Sequence, residues 1–195
     1  MASIVEICRM ALLQAGSETL IESIDEPSKE AKLCKAYFQL AFDGMLREYS
    51  WNIANSDKVL TPYGTSTRYL YQYKYPNDCM RALGVYNDFV PLSSETVFNI
   101  GNSDGLLVIQ TDLDQASLSY TTKITDISQI RDALFVEALS YKLGSLICTP
   151  LNGDKSLMQQ LLSLYTNVAY RAQATDSNEG QADVVPDASW VQARV

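Results

Sequence analysis

Histidine is absent from the 195 residues. With it go the usual acid–base group near neutrality and the commonest metal ligand. Runs of Lys or Arg are missing too, and the formal charge is −8 at pH 7. Gripping nucleic acid takes clustered cations that displace phosphate counterions, so DNA near this chain is expected to be repelled or ignored. The four cysteines, Cys8, Cys34, Cys79 and Cys148, are scattered without a Cys-x-x-Cys pair. Neither a zinc site nor a disulfide framework is expected, only buried or half-buried free thiols. No glycine-rich phosphate cradle is expected, because Gly101 and Gly105 sit in a polar turn and not between a strand and a helix. Serine and cysteine nucleophiles would lack a histidine partner. No apolar run is expected to reach membrane-spanning length, and Met1 to Gly16, amphipathic and carrying Glu6, does not read as a signal peptide. The expectation is a soluble chain with no cofactor, no metal and no membrane partner.

What is present is an ordinary globular composition, 47% hydrophobic and 19% charged, in enough residues for one core or a core with a small satellite. Ile4, Ile7, Cys8, Ala11, Leu12 and Ala15 recur at helical spacing behind a Ser3/Glu6 capping box, with Gly16 as the stop. A second helix is predicted from Asp25-Glu26-Pro27 to about Trp51, with Cys34, Tyr37, Phe38, Ala41, Phe42, Met45 and Leu46 on its apolar face. From Asn52 to Thr125 the pattern changes to Tyr, Val, Thr and turn residues. Tyr69, Tyr71, Tyr73 and Tyr75 alternate with other residues as a strand requires. Further strands are expected at Cys79 to Tyr86, Phe89 to Leu92, Val97 to Ile100, Leu106 to Gln110 and around Leu118. Helices resume near Asp126. One face carries Ile130, Ala133, Leu134, Ala138 and Tyr141, and another Phe135, Leu139, Leu143 and Leu146. A helix apolar on two sides is buried on two sides, within a bundle or against a neighbouring subunit. Pro150 is expected to end it, and a last helix to run from about Asp154 to Ala174.

The predicted class is therefore α+β. Residues 1–51 and 126–174 are expected to form a four-helix bundle-like domain. Residues 52–125 are expected as an inserted small antiparallel β domain, a sandwich or a barrel, and 175–195 as an extended tail. That tail is polar, yet it closes on Trp190, Val191 and Arg194, residue types suited to a docking segment that orders on binding. Carboxylates are the surviving route to catalysis. Asp112 and Asp114, with Asp104 upstream, are the candidates for glycoside hydrolysis and make a loose Ca²⁺-like loop that lacks a bidentate Glu. Exposed acids in turns favour the plainer reading, no catalytic residues and no enzyme. The tyrosine ladder could stack bases or sugars, but only Arg68, Lys74 and Arg81 lie near it, so packing is the expected role.

Three stretches, in their order and spacing, carry a resemblance. These are Glu26-Pro27-Ser28-Lys29-Glu30-Ala31 leading through Cys34 and Tyr37 to Trp51; Tyr75-Pro76-Asn77-Asp78-Cys79-Met80-Arg81; and the alanine-rich helix of Asp132 to Leu146. Together with the polar tail ending Ser189-Trp190 and Ala193-Arg194, they resemble the head-to-tail adaptor of short-tailed bacteriophages, also called tail tubular protein A. The resemblance covers nearly the whole chain and contains no catalytic signature. It implies a virion protein made in the host cytoplasm and placed at the head–tail junction. Such a protein assembles with itself as a ring, typically a dodecamer, beneath the portal after DNA packaging. The helices form the ring, the β domain faces outward or downward, and the C-terminal segment, with Trp190, Val191 and Arg194, reaches the portal. The ring extends a channel through which DNA passes without specific binding and offers a platform to the next tail protein, a nozzle or tail tubular B-like component. An acidic chain suits such a channel, since fixed cations would add affinity at every step. The alternatives are another connector or tail-completion protein, a carboxylate-dependent peptidoglycan hydrolase using Asp112 and Asp114, and a helical scaffold unrelated to phage.

Overall fold

The structure, a computed structural model, describes residues 3–92 and 96–179. Helix α1 (Ile4–Gln14) begins at the expected box: the Ser3 N–H donates to Glu6 Oε2 at 2.7 Å, and the Glu6 N–H to Ser3 Oγ at 3.2 Å. Helix α2 (Lys29–Glu48) starts later than expected, because Ser28 caps it by accepting the Ala31 N–H at 3.2 Å. Glu26 instead closes the preceding loop, where Oε1 accepts the N–H groups of Glu22 and Ser23 at 2.5 and 2.8 Å. Asp126, expected to open the third helix, caps a short 3₁₀ turn at Ile127–Gln129. Helix α3 (Ala133–Asn152) is capped by Asp132, which accepts the Leu134 N–H at 2.8 Å.

Pro150 lies inside α3 and does not end it. Having no N–H, it cannot donate to the carbonyl four residues back, and the helix runs two residues further without that bond. The stop is Gly153, left-handed at φ +78, whose N–H bonds to Thr149 O at 2.9 Å. Helix α4 (Lys155–Glu179) continues past Ala174, into residues expected to belong to the tail.

α3 packs against α1, α2 and α4. Phe135, Ala138, Leu139, Leu143, Ile147 and Cys148 are buried there, so the face of Phe135, Leu139 and Leu143 is covered by the chain's own helices, whereas on the other face Leu134 and Tyr141 are half-buried and Ala133 is exposed. By length and composition α3 could cross a membrane, contrary to the expectation that no segment qualifies; packing against three helices accounts for its apolarity. Trp51 closes one end of this core. Its indole N–H donates to Met45 O at 2.9 Å, and its ring meets Phe135 edge-on at 4.8 Å between centroids.

Among the described residues, six strands run between α2 and α3: β1 (Asn55–Val59), β2 (Tyr71–Lys74), β3 (Cys79–Tyr86), β4 (Phe98–Ser103), β5 (Leu106–Thr111) and β6 (Ser117–Thr122). They form two antiparallel three-stranded sheets, ordered β1-β6-β3 and β2-β5-β4. Val85, Leu118 and Tyr120 of the first sheet share one core with Tyr73 and Ile109 of the second. Tyr73 fastens the sheets further, its hydroxyl donating to Leu113 O at 2.8 Å in the β5–β6 connection.

Phe89 to Leu92 forms no strand. Asn87 Oδ1 accepts the N–H groups of Phe89 and Val90 at 3.0 and 2.8 Å, an Asx turn that diverts the backbone from a ladder. Strand β1 carries the polar sequence Asn-Ser-Asp-Lys-Val, and its pairing with β6 replaces a hydrophobic pattern as the reason it is extended.

Candidate functional site

The Tyr75-to-Arg81 string falls where helices and sheets meet. Pro76 and Asn77 turn the chain from β2 to β3, and Asp78 then acts as a knot. Its Oδ2 accepts the Tyr120 hydroxyl at 2.9 Å and the Thr122 hydroxyl at 3.4 Å, and its carbonyl accepts the Lys123 N–H at 2.8 Å. Lys58 Nζ stands 3.9 Å from Oδ1. Burial alone would raise the Asp78 pKa, but the hydrogen bonds, led by Tyr120, and the Lys58 charge outweigh it and hold the carboxyl below its usual range. From the helical side, Arg47 of α2 donates to Met80 O at 3.3 Å, and Asp43 faces Lys123 at 3.6 Å. Asp43, Arg47, Tyr75, Asp78, Cys79 and Lys123 are among the residues lining an open cleft at this junction. Burial is the main cause raising both the Tyr75 phenol and the Cys79 thiol, so neither is poised as an anion near neutrality. These residues fasten two parts of the fold together.

The remaining candidates are not gathered. Asp112 Oδ1 accepts the Leu70 N–H at 2.9 Å, and Asp114 Oδ1 accepts the Gln115 N–H at 2.9 Å; both serve the backbone of exposed connections. Asp104 lies at the other end of β5, in the β4–β5 turn, about 20 Å of strand away at 3.3 Å per residue. That turn also spells Gly101-Asn102-Ser103-Asp104-Gly105, a Gly-x-Ser-x-Gly pattern, which corrects the expectation that the sequence contains none. A nucleophile elbow needs this pattern between a strand and a helix. Here it closes a hairpin with positive φ at Asp104 and Gly105, in a chain without histidine. Among the described residues no cluster of three or more Cys, Asp or Glu has metal-binding geometry. The tyrosine ladder is not a platform either: Tyr73 is core, Tyr75 half-buried, and Gln72 on the opposite face of β2 is buried as well. Cys8 and Cys34 are buried free thiols of α1 and α2; a hydrogen bond with Cys34, then burial, keeps Cys8 protonated.

A polar cluster missed in the sequence ties three helices. Lys142 of α3 donates to Glu48 Oε1 at 2.5 Å and lies 4.9 Å over the Tyr165 ring, and the Tyr165 hydroxyl of α4 donates to Glu48 Oε2. Its members stand 94 and 117 positions from Glu48, so no local pattern announces them. Near the end of α4, Asp176 and Ser177 bond to Asn52 and Tyr49. The docking candidates Trp190, Val191 and Arg194 lie outside the described residues.

No known protein family matches the chain, and no curated protein matches it either.

Proposed function

We propose that the chain is a structural virion protein, the head-to-tail adaptor of a short-tailed bacteriophage, that binds the portal as a ring and carries the next tail protein. In this reading the four helices are the bundle-like ring-forming unit. The two facing sheets are a small sandwich inserted between α2 and α3, and Trp190, Val191 and Arg194 belong to a portal-docking tail. The observation that carries it is the role of the Tyr75-to-Arg81 string, the most specific element of the resemblance. Within it Asp78 ties the β2–β3 turn to β6, and the Met80 carbonyl accepts a hydrogen bond from Arg47 of α2, which is the work of an architectural motif. The acidic charge of −8 supports a channel that DNA traverses without sticking.

Ring formation in this reading draws on exposed surface, since the face of α3 formed by Phe135, Leu139 and Leu143 is already covered within the chain. Exposed apolar side chains lie on separate helices, Leu40 on α2 and Leu162, Leu164 and Tyr170 on α4, as head-to-tail contacts between copies require. The test is to mix the full chain with the portal protein of the same phage and examine the product by electron microscopy. Ring density added beneath the portal is the expected result; a chain that ignores the portal overturns the reading.

A further inference from the structure

Four large apolar side chains are more exposed than any others among the described residues: Phe89 at 90%, Leu70 at 75%, Val97 at 73% and Val59 at 72%. They come from different stretches of chain, yet each is tied to residues 111–117, the end of β5, the start of β6 and the connection between them. Val59 pairs with Ser117, and the Leu70 N–H donates to Asp112 at 2.9 Å. Asn87, whose side chain accepts the Phe89 N–H, donates through Nδ2 to Asp114 O at 3.0 Å. Thr111 Oγ1 donates to Val97 O at 3.3 Å. The helices attach at the opposite end of the sheets, at Met80 and Lys123, with the length of β3 between. Water is a poor neighbour for four such groups at one end of a small β unit.

We propose that this end of the β region is a protein-docking tip whose partner presents an apolar recess edged with Lys or Arg. The rim decides the partner's chemistry, because three exposed acids, Asp88, Asp112 and Asp114, stand beside the apolar groups and outnumber the exposed Arg68, which lies over the Tyr69 ring. A second tip would meet like charge, and an anionic membrane surface would repel it. The inference rests on the adaptor reading, in which the tip is the part offered to another tail protein.

The experiment immobilises the full-length chain and presents each of the other purified tail proteins of the same phage, with portal binding measured on the same preparation. One tail protein is expected to bind the wild type, more weakly as salt rises. The Phe89→Ser/Leu70→Ser double variant is expected to lose about thirtyfold in affinity, as removal of an apolar anchor does, with unchanged thermal unfolding and unchanged portal binding. Asp88→Lys is expected to weaken the same interaction alone. Equal binding by the double variant, or binding of no tail protein, overturns the tip. So does Phe89-dependent sedimentation with phosphatidylcholine–phosphatidylglycerol vesicles. Loss of portal binding by the wild type, with tip-dependent binding intact, overturns the adaptor reading alone.

Discussion

Asp176, near the end of α4, holds Asn52 at the start of the β region in two directions. Its carboxylate accepts the Asn52 N–H at 3.0 Å, and its carbonyl accepts Asn52 Nδ2 at 2.5 Å. Burial is the first cause raising the Asp176 pKa, set against the Asn52 N–H that lowers it. The end of α4 is therefore part of the fold, although its sequence reads as the start of a tail.

Two truncations should consequently differ. Removing 180–195 leaves Asp176 and Ser177 in place and keeps their bonds to Asn52 and Tyr49. Removing 175–195 deletes the bonds to Asn52 and Tyr49 and should cost about 1–2 kcal/mol, several degrees in melting temperature. Both should abolish portal attachment, and Trp190→Ala in the full chain should weaken attachment by about 2 kcal/mol or more. Calorimetry and a portal pull-down read the two effects separately.

Asp78 predicts a pH dependence. Its carboxyl is held below the ordinary range in the folded chain, so the folded state binds the proton less readily than the unfolded one. The stabilisation is complete above the unfolded pKa and is lost as pH falls through the folded value. Asp78→Ala should destabilise by about 1 kcal/mol at pH 7, a figure reduced for its partial exposure. The gap from wild type should close as pH falls below the ordinary carboxylate range. Urea unfolding across pH 2.5 to 7 checks this; a constant gap would show that the charge is irrelevant.

Gly144 brings α3 against α1. A Cβ there would stand 3.2 Å from the Ala11 carbonyl oxygen and 3.5 Å from Leu161 Cδ1. Gly144→Val forces backbone to move and should destabilise by about 1–3 kcal/mol, despite the entropy that glycine loses in a helix. Chemical denaturation decides it; an unchanged midpoint would mean α1 shifts freely.

Tyr165 is raised by burial first and then by its hydrogen bond to Glu48, so its phenol stays protonated well beyond the usual tyrosine range. The sign is that of a raised group: its stabilisation is full below the unfolded pKa and disappears as pH climbs toward the folded one. Tyr165→Phe should lose about 1 kcal/mol at pH 7 and show a shallower alkaline decline above pH 10. Tyrosine absorbance and circular dichroism followed together should show Tyr165 ionising only as the helices melt.

Local features of the sequence were read where the physics is local. The Ser3/Glu6 box and the β4–β5 hairpin needed only neighbours within a few positions; the apolar stripe expected on the last helix, Leu157, Met158, Leu161, Leu162, Tyr165, Val168, Ala169 and Ala172, is buried from Leu161 onward except at Leu162, which is exposed. The errors arise where competition is settled at a distance or by a better local partner. Asp25-Glu26-Pro27 has the acids and proline of a helix start, but Ser28 is the cap. Pro150 reads as a stop, but Gly153 ends the helix. The tyrosine ladder reads as one face, but the middle of β2 is covered on both sides, so Tyr73 and Gln72 are both buried while Tyr71 and Lys74 stay exposed. Among the candidate site residues, Asp112 and Asp114 were visible as exposed acids, while their bonds to Leu70 and Gln115 were not.

By itself the sequence determined the α+β class, the alternation of helical and extended stretches, the acidic charge and the lack of histidine chemistry, because composition and periodicity act residue by residue. Only the tertiary structure decided that α3 packs against three helices of its own chain, that Glu48, Lys142 and Tyr165 form one cluster, and that Phe89, Leu70, Val97 and Val59 share one end of the sheets. Those facts depend on which distant segments meet, and pairing across the chain is set by the summed burial of whole faces, a quantity that no short window of residues contains.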